Sequence, residues 1–393
     1  MQALNEITVL DLARGYPPAH STMFLGDFGA RVIKVDPPDG SKMDKTLGID
    51  AQNERFAALN RLNRNKETVI INMQSEEGLN VFYQLVKKAD VLVEGFRPGV
   101  MKRLRADYDT LKSINPQLIY CSVSGYGSDG PYAQVPGHDP CFLGITGALS
   151  MIGPRDGTPC QPSNYLADMA GAAMHGLVGI LIALIARERT GQGQFVDIAY
   201  ADGVLSLMDF DTSSFLYTGT VPRRGETYLT GQSAWSHIYK CKDGEYFVVA
   251  CGEFYFWENL CRAIGREDLI SYHGAPLQEQ EQGIRKVGKV FLAKTRDEWW
   301  ELLREKNACV APVYDISEAL DDPQVLHRQM VLELNHPTLD TVKQIGFPVK
   351  LSDTPAQIRS LGRVVGSDTQ KIMEELGYSR KDIQRLRQEG AIG

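Results

Sequence analysis

The sequence predicts an α/β fold, with an open parallel sheet in a large domain and a smaller α+β domain. Three observations carry this. Strand-like apolar runs alternate with segments of helical spacing over the first 200 residues. After about residue 225 the pattern changes to a hairpin signal followed by helices. The composition is 43% hydrophobic and 23% charged, so a chain of 393 residues can build more than one core.

Residues 7–12 read as the first strand, Gly15-Tyr16-Pro17-Pro18 as a turn, and 20–28 as a helix with Met23, Phe24 and Phe28 on its apolar face. Residues 32–35 form the next strand. A strand, helix and strand of this length imply parallel pairing through a right-handed crossover. The pattern recurs with a strand at 68–73, a helix at 76–88, a strand at 91–94, a helix at 103–114 and a strand at 118–123. Ligands gather at the carboxyl ends of such strands, so the turns at 13–18, 95–99 and 124–131 are candidate site walls. The apolar run 169–186 is interrupted by Gly171, His175, Gly176 and Gly179. It reads as a buried helix ending at Gly191, rather than a membrane span. A strand follows at 194–199. Residues 236–241 and 246–251 flank Lys242-Asp243-Gly244-Glu245, a hairpin turn. Helices are expected at 254–263, 296–305 and 368–375.

The net charge is −7, and no run of five or more basic residues occurs, which argues against nucleic acid or an anionic membrane as the main partner. The seven cysteines are scattered and none forms Cys-x-x-Cys, so neither a disulfide framework nor a zinc site is indicated and a reducing, cytoplasmic compartment fits. The first residues lack the basic and apolar pattern of a signal peptide.

Two residues stand out chemically. His138, in Gly137-His138-Asp139, and Asp168, in Asn164-Tyr165-Leu166-Ala167-Asp168, are proton-transferring groups among small and apolar residues. Asp168 reads either as a helix N-cap or as a catalytic carboxylate beside the amides of Met169 and Ala170, which could hold an oxyanion. His138 reads either as a core histidine or as a proton carrier. Glu253, before Phe254-Tyr255-Phe256-Trp257, is either a helix-start charge or a carboxylate that orients a histidine. Phe142, Met151, Tyr200 and Trp235 suit either an apolar pocket or core packing. Gly125-Tyr126-Gly127-Ser128-Asp129-Gly130 matches Gly-x-Gly-x-x-Gly, but Pro131 follows instead of a helix start, so a loop near a pocket is preferred to a dinucleotide site. His20, His175, His273, His327 and His336 have no chemical partner in the sequence and read as structural or solvated.

Several stretches, taken in order, resemble the family III coenzyme A transferases, the group that also contains the α-methylacyl-CoA racemases. They are Leu25-Gly26-Asp27-Phe28-Gly29-Ala30, Asn63-Arg64-Asn65-Lys66, Ala89-Asp90-Val91, Glu94-Gly95-Phe96-Arg97-Pro98-Gly99, Ser124-Gly125-Tyr126-Gly127, Asp168 with its small-residue helix, Thr190-Gly191-Gln192-Gly193-Gln194, and Cys309-Val310-Ala311-Pro312-Val313. The resemblance spans nearly the whole chain. It implies an open Rossmann-like large domain built from residues 1–220 and 326–393, a small domain at 225–325, and an interlocked homodimer, with a heterodimer of homologues as the variant. It also implies an acyl-CoA substrate, with no tightly bound cofactor and coenzyme A arriving as part of the substrate. Gly15, Tyr16, Ile71, Gly95, Phe96, Arg97 and Arg103 would contact the coenzyme. Pro37 and Gln74 stand where relatives often carry basic residues for its phosphates.

Two chemistries compete within the resemblance. In a transferase the aspartate matching Asp168 attacks a thioester and carries coenzyme A to an acceptor carboxylate. In a racemase that aspartate and a histidine matching His138 flank the α-carbon and exchange its proton through an enolate, with a glutamate matching Glu253 behind the histidine. Histidine at 138 where many transferases have tyrosine, Glu253 in place, and a lone Gly231 across 228–235 favour the racemase. The segment Gln232-Ser233-Ala234-Trp235-Ser236-His237 is unlike the racemase loop. A non-catalytic acyl-CoA-binding subunit is the third reading, and an intact Asp168 argues against it.

Overall fold

Strand residues alternate cleanly between two cores, and that alternation builds the large sheet. The computed structural model describes residues 1–40, 53–336 and 338–393. Six strands, β1 (Thr8–Leu12), β2 (Arg31–Asp36), β3 (Lys66–Ile70), β4 (Val91–Glu94), β5 (Ile119–Ser124) and β6 (Phe195–Ala199), pair in the order β3-β2-β1-β4-β5-β6. All five pairings are parallel. Leu10, Leu12, Ile33, Val35 and Val69 face one core, shared with the helix Glu76–Val86 and the C-terminal helices Thr369–Glu375 and Arg380–Gln388. Val9, Val32, Val91, Val93, Ile119 and Val123 face the other, against the helices Tyr16–Asp27 and His175–Thr190. This is the period of two expected of strands buried on both faces. The order reverses between β1 and β4, the topological switch point of a doubly wound sheet.

The Asn63-Arg64-Asn65-Lys66 stretch anchors the first helix. Arg64 is buried and binds both oxygens of Asp27 at 3.0 and 2.6 Å, and Asn65 adds a bond to the same carboxylate. Lys66 reaches Asp11 at 2.7 Å, the Ala19 carbonyl at 2.9 Å and Thr22 at 2.8 Å. Buried charges of this kind persist only when fully bonded.

The chain divides into two compact units. The first comprises 1–146, 163–207 and 326–393, and the second 147–162 and 208–325. Residues 147–162 and 208–220 thus group with the smaller unit, earlier than the expected change near 225. The C-terminal segment returns to the sheet, where Asp368 accepts from the Thr68 amide and Ile392 bridges to Ile71. The smaller unit carries β7 (Ser236–Lys240), β8 (Tyr246–Ala250) and β9 (Val310–Pro312), with the Asp243-Gly244 turn at the tip of the first hairpin. Arg224 ties its two segments together by bonds to the Ser150, Pro154 and Gly157 carbonyls.

Some local expectations differ from the structure. Pro17 and Pro18 lie in the first turn of a helix rather than in a turn, because that position needs no amide. The helix expected at 103–114 is two, Val100–Arg103 and Tyr108–Ile114, separated where Arg105 adopts a φ of 54°. The helix expected at 169–189 runs from 165 to 190, and its first ten residues form a π-helix. It is half-buried rather than buried: Gly176, Leu177, Ile180, Ala183 and Leu184 face the core, while Val178, Ile182 and Ile185 are exposed. By length and composition alone it is the one helix among the described residues that could cross a membrane.

Candidate active site

The π-helix Tyr165–Met174 presents Asp168. Its wider turn is supported by side chains at the carbonyls. Ser21 donates to the Ala173 carbonyl at 2.7 Å, and the His175 ring lies 3.0 Å from the Ala170 carbonyl and 3.3 Å from the Ser206 hydroxyl. His175 is therefore structural. Gly171 crosses Gly203 of the helix Tyr200–Leu207 so closely that a Cβ on Gly203 would stand 1.9 Å from the Gly171 carbonyl oxygen. π-Turns embedded in helices occur often at functional sites.

Asp168 is not the N-cap; that position is Asn164. Of the two amides expected to hold an oxyanion, that of Met169 is already used, as are those of the two residues before it. Those of Ala167 and Asp168 both donate to Asp139 Oδ2 at 2.9 Å, and that of Met169 donates to the Asn164 carbonyl at 3.3 Å. A single carboxylate from another element thus caps this helix. In the sequence, Asp139-Pro140 marks only the first turn of its own helix, Asp139–Ile145, and gives no sign of this contact.

His138 occupies the N-cap position of the helix Asp139–Ile145, with extended backbone and no side-chain cap bond. It is exposed, not a core histidine. Asp139, the next residue, is buried and its Oδ1 has no partner among the described residues. The Asp139 bridge therefore brings the His138 helix start against the Asp168 helix start. Burial, then the Asp139 charge, push the Asp168 carboxyl above the ordinary aspartate range, against hydrogen bonding from Asn164 and the charge of His138. Tyr200 lies beside both carboxylates. Burial and the two negative charges push its phenol well up, so it remains an O–H donor. Phe142 is buried 4.8 Å from the Tyr200 ring, as a core side chain rather than a pocket wall. A Cβ on Gly125 or Gly137 would come 2.7 Å from the Phe142 ring, which explains both glycines. The loop after β5 is fixed by Asp197, which accepts from the Ser128 amide and hydroxyl at 3.1 and 2.6 Å.

The expected coenzyme residues sit at the switch point, after β1 and β4. Gly15 begins the first helix with a φ of 110°, and Tyr16 follows it, exposed. Gly95 packs against Pro18, where a Cβ would fall 2.9 Å from the proline ring. Phe96 carries the Arg14 guanidinium at 5.6 Å over its ring. Arg97 and Arg103 are exposed, and Arg103 folds back toward Gly99. Ile71 differs from the other expected coenzyme residues in being buried. It is 2% exposed, its side chain packs in the first core, and its amide donates to the Asp36 carbonyl. Gln74 is exposed in the turn before the next helix. Two residues went unrecognised in the sequence: Arg14, close to Asp36 at 3.6 Å, and Glu94, buried at the end of β4.

Glu253 belongs to the second unit. It occupies the N-cap position of the helix Phe254–Ala263, yet its exposed carboxylate makes no capping bond. Trp235 is buried in that unit's core, and Met151 is half-buried there. Among the described residues no three His, Cys, Asp or Glu side chains cluster as metal ligands would.

The comparisons agree with one another. The sequence profile of CoA-transferase family III matches residues 4–369. The human alpha-methylacyl-CoA racemase is 31% identical over 404 aligned positions, covering 99% of this chain and 97% of the relative. The succinyl-CoA–L-malate CoA-transferase beta subunit of Chloroflexus aurantiacus is 32% identical, covering 98% and 97%. A CaiB/BaiF family protein from Brucella suis superposes with a TM-score of 0.83 at 28% identity, over 95% of this chain and 99% of that one. The parallel sheet in the order β3-β2-β1-β4-β5-β6 and the matched profile lead to one conclusion: the chain belongs to CoA-transferase family III.

Proposed function

We propose that the protein acts on coenzyme A thioesters and exchanges the α-proton of a 2-methylacyl-CoA, as a racemase or epimerase. The observation that carries this reading is the pairing of two proton carriers at adjoining helix starts, Asp168 and His138, joined through Asp139. One removes the α-proton to leave a thioester enolate, and the other returns a proton on the opposite face. A carboxyl held above its usual range is a better match to this work than a fully solvated one. Glu253 enters through the resemblance alone, as a carboxylate free of its own helix. Neither this chemistry nor its alternative calls for a resident cofactor, since coenzyme A enters with the substrate. Arg14, Arg97 and Arg103 are the cations we assign to its phosphates. The working form is a homodimer.

The second reading is a coenzyme A transferase with Asp168 as nucleophile. The Chloroflexus aurantiacus relative, as similar as the human racemase, favours it. Deuterated water separates the two. The racemase incorporates deuterium at the α-carbon of a 2-methylacyl-CoA with no acceptor acid present, and His138→Ala lowers that rate by about 10²–10⁴-fold. Absence of exchange over a panel of branched thioesters, together with a hydroxylamine-trappable acyl adduct at Asp168, would transfer the conclusion to the second reading.

A further inference from the structure

Glu94 is the last residue of β4, and the turn Gly95-Phe96-Arg97 follows it directly. Its carboxylate bends back to accept from the Phe96 amide at 2.7 Å. In the sheet it lies in register with Ser122 of β5, which is in register with Asp197 of β6. Two carboxylates thus flank one serine hydroxyl on neighbouring parallel strands. Ser122 has a single proton to donate, so it cannot stabilise both acids by donation. Asp197 already takes the amide and hydroxyl of Ser128. Glu94 is only 4% exposed, and its partners among the described residues are the Phe96 amide and Ser122.

The surroundings of Glu94 are otherwise short of positive charge. From β1 it meets Leu12, its register partner. From β5 the Tyr120 phenol and Cys121 thiol are both pushed up by burial and by Glu94, so they carry no charge near neutral pH. From β6 comes the Asp197 carboxylate. Arg14 and Arg97 lie on the turn side, with Arg14 over the Phe96 ring and directed to Asp36. Burial, reinforced by Asp197 and opposed by Ser122 and the Phe96 amide, raises the Glu94 carboxyl to about 7.

We propose that Glu94 is the positioning residue of the Gly95–Arg97 turn and that it takes up a proton from solvent when the anionic end of a coenzyme A thioester docks on that turn. The proposal rests on the coenzyme reading above. Phosphates brought beside the turn add negative potential to a buried acid near the midpoint of its titration, and linkage then favours the protonated form. The protonated acid still accepts from Phe96 through one oxygen and can donate through the other. A further rise of one unit would take up roughly 0.4 proton per site at pH 7.

The test is calorimetric titration of coenzyme A into the wild type and Glu94→Gln at pH 7, each in phosphate and in Tris. The ligand's own phosphate ionisation is common to both proteins and cancels in the difference. The wild type should take up more protons per site than Glu94→Gln, whose glutamine keeps an acceptor for the Phe96 amide. Binding to both with equal proton uptake overturns the proposal alone. No binding to either overturns the coenzyme reading and the proposal with it. Should Glu94→Gln fail to fold, infrared difference spectra of Asp168→Asn decide. A gain of protonated-carboxyl signal on adding coenzyme A supports the proposal, and its absence overturns it.

Discussion

The Asp139 carboxylate holds two backbone amides on one oxygen, while the other is buried with no partner among the described residues. Its negative charge is thus only partly compensated and falls on Asp168. Both chemistries need Asp168 ionised when it acts as base or nucleophile, so rate should rise with pH through its titration. Burial and Asp139 move that titration up from the ordinary aspartate value. Asp139→Asn keeps an acceptor for both amides and removes the charge. The acid limb of the kcat/KM profile should therefore move to lower pH in Asp139→Asn, and an unmoved limb would show that Asp139 does not tune Asp168. Asp139→Ala, which strips both buried amides of their acceptor, should instead lower stability by about 1–3 kcal/mol.

At the scale of elements, the small-residue helix is what brings Asp168 into place. The sequence carried its apolar run and its end at Gly191, but not its start. No side chain near 164 makes a local cap bond; the cap is Asp139, a contact between distant segments that no local pattern encodes. The same cause hid the contact that brings the His138 and Asp168 helix starts together, whereas the strands β1, β2, β4 and β6 were legible because their apolar runs are short and bounded by turns. The C-terminal helix Arg380–Gln388 went unread for the opposite reason: only Ile383 and Leu386 are buried, too few to set a helical period. The Gly171–Gly203 crossing makes the element sensitive to one methyl group. Gly203→Ala meets backbone, which cannot swing aside. We expect a loss of about 1–3 kcal/mol, toward the upper end, with activity falling at temperatures where the fold persists. Thermal melts paired with activity would check this, and an unchanged melting temperature would contradict the crossing.

At the scale of the whole molecule, the helix spanning 165–190 has a second face to account for. Met174, Val178, Ile182 and Ile185 fall at spacings of four, four and three, one stripe along the helix, and Ile182 and Ile185 are 61% and 58% exposed. An exposed apolar stripe of this kind is expected to be covered, because water contact with it brings no compensating gain. A second copy of the chain is the occupant consistent with the proposed homodimer. In light scattering after size exclusion, the wild type should then run at twice the 43.7 kDa chain mass. The double substitution Ile182→Glu with Ile185→Glu leaves the core-facing side of the helix untouched, yet would bury unpaired carboxylates between two copies, at several kcal/mol for each copy. It should shift the mass to that of one chain while circular dichroism stays that of the wild type. A wild type that runs as a monomer overturns the dimer. A double variant still at twice the chain mass moves the interface away from this helix.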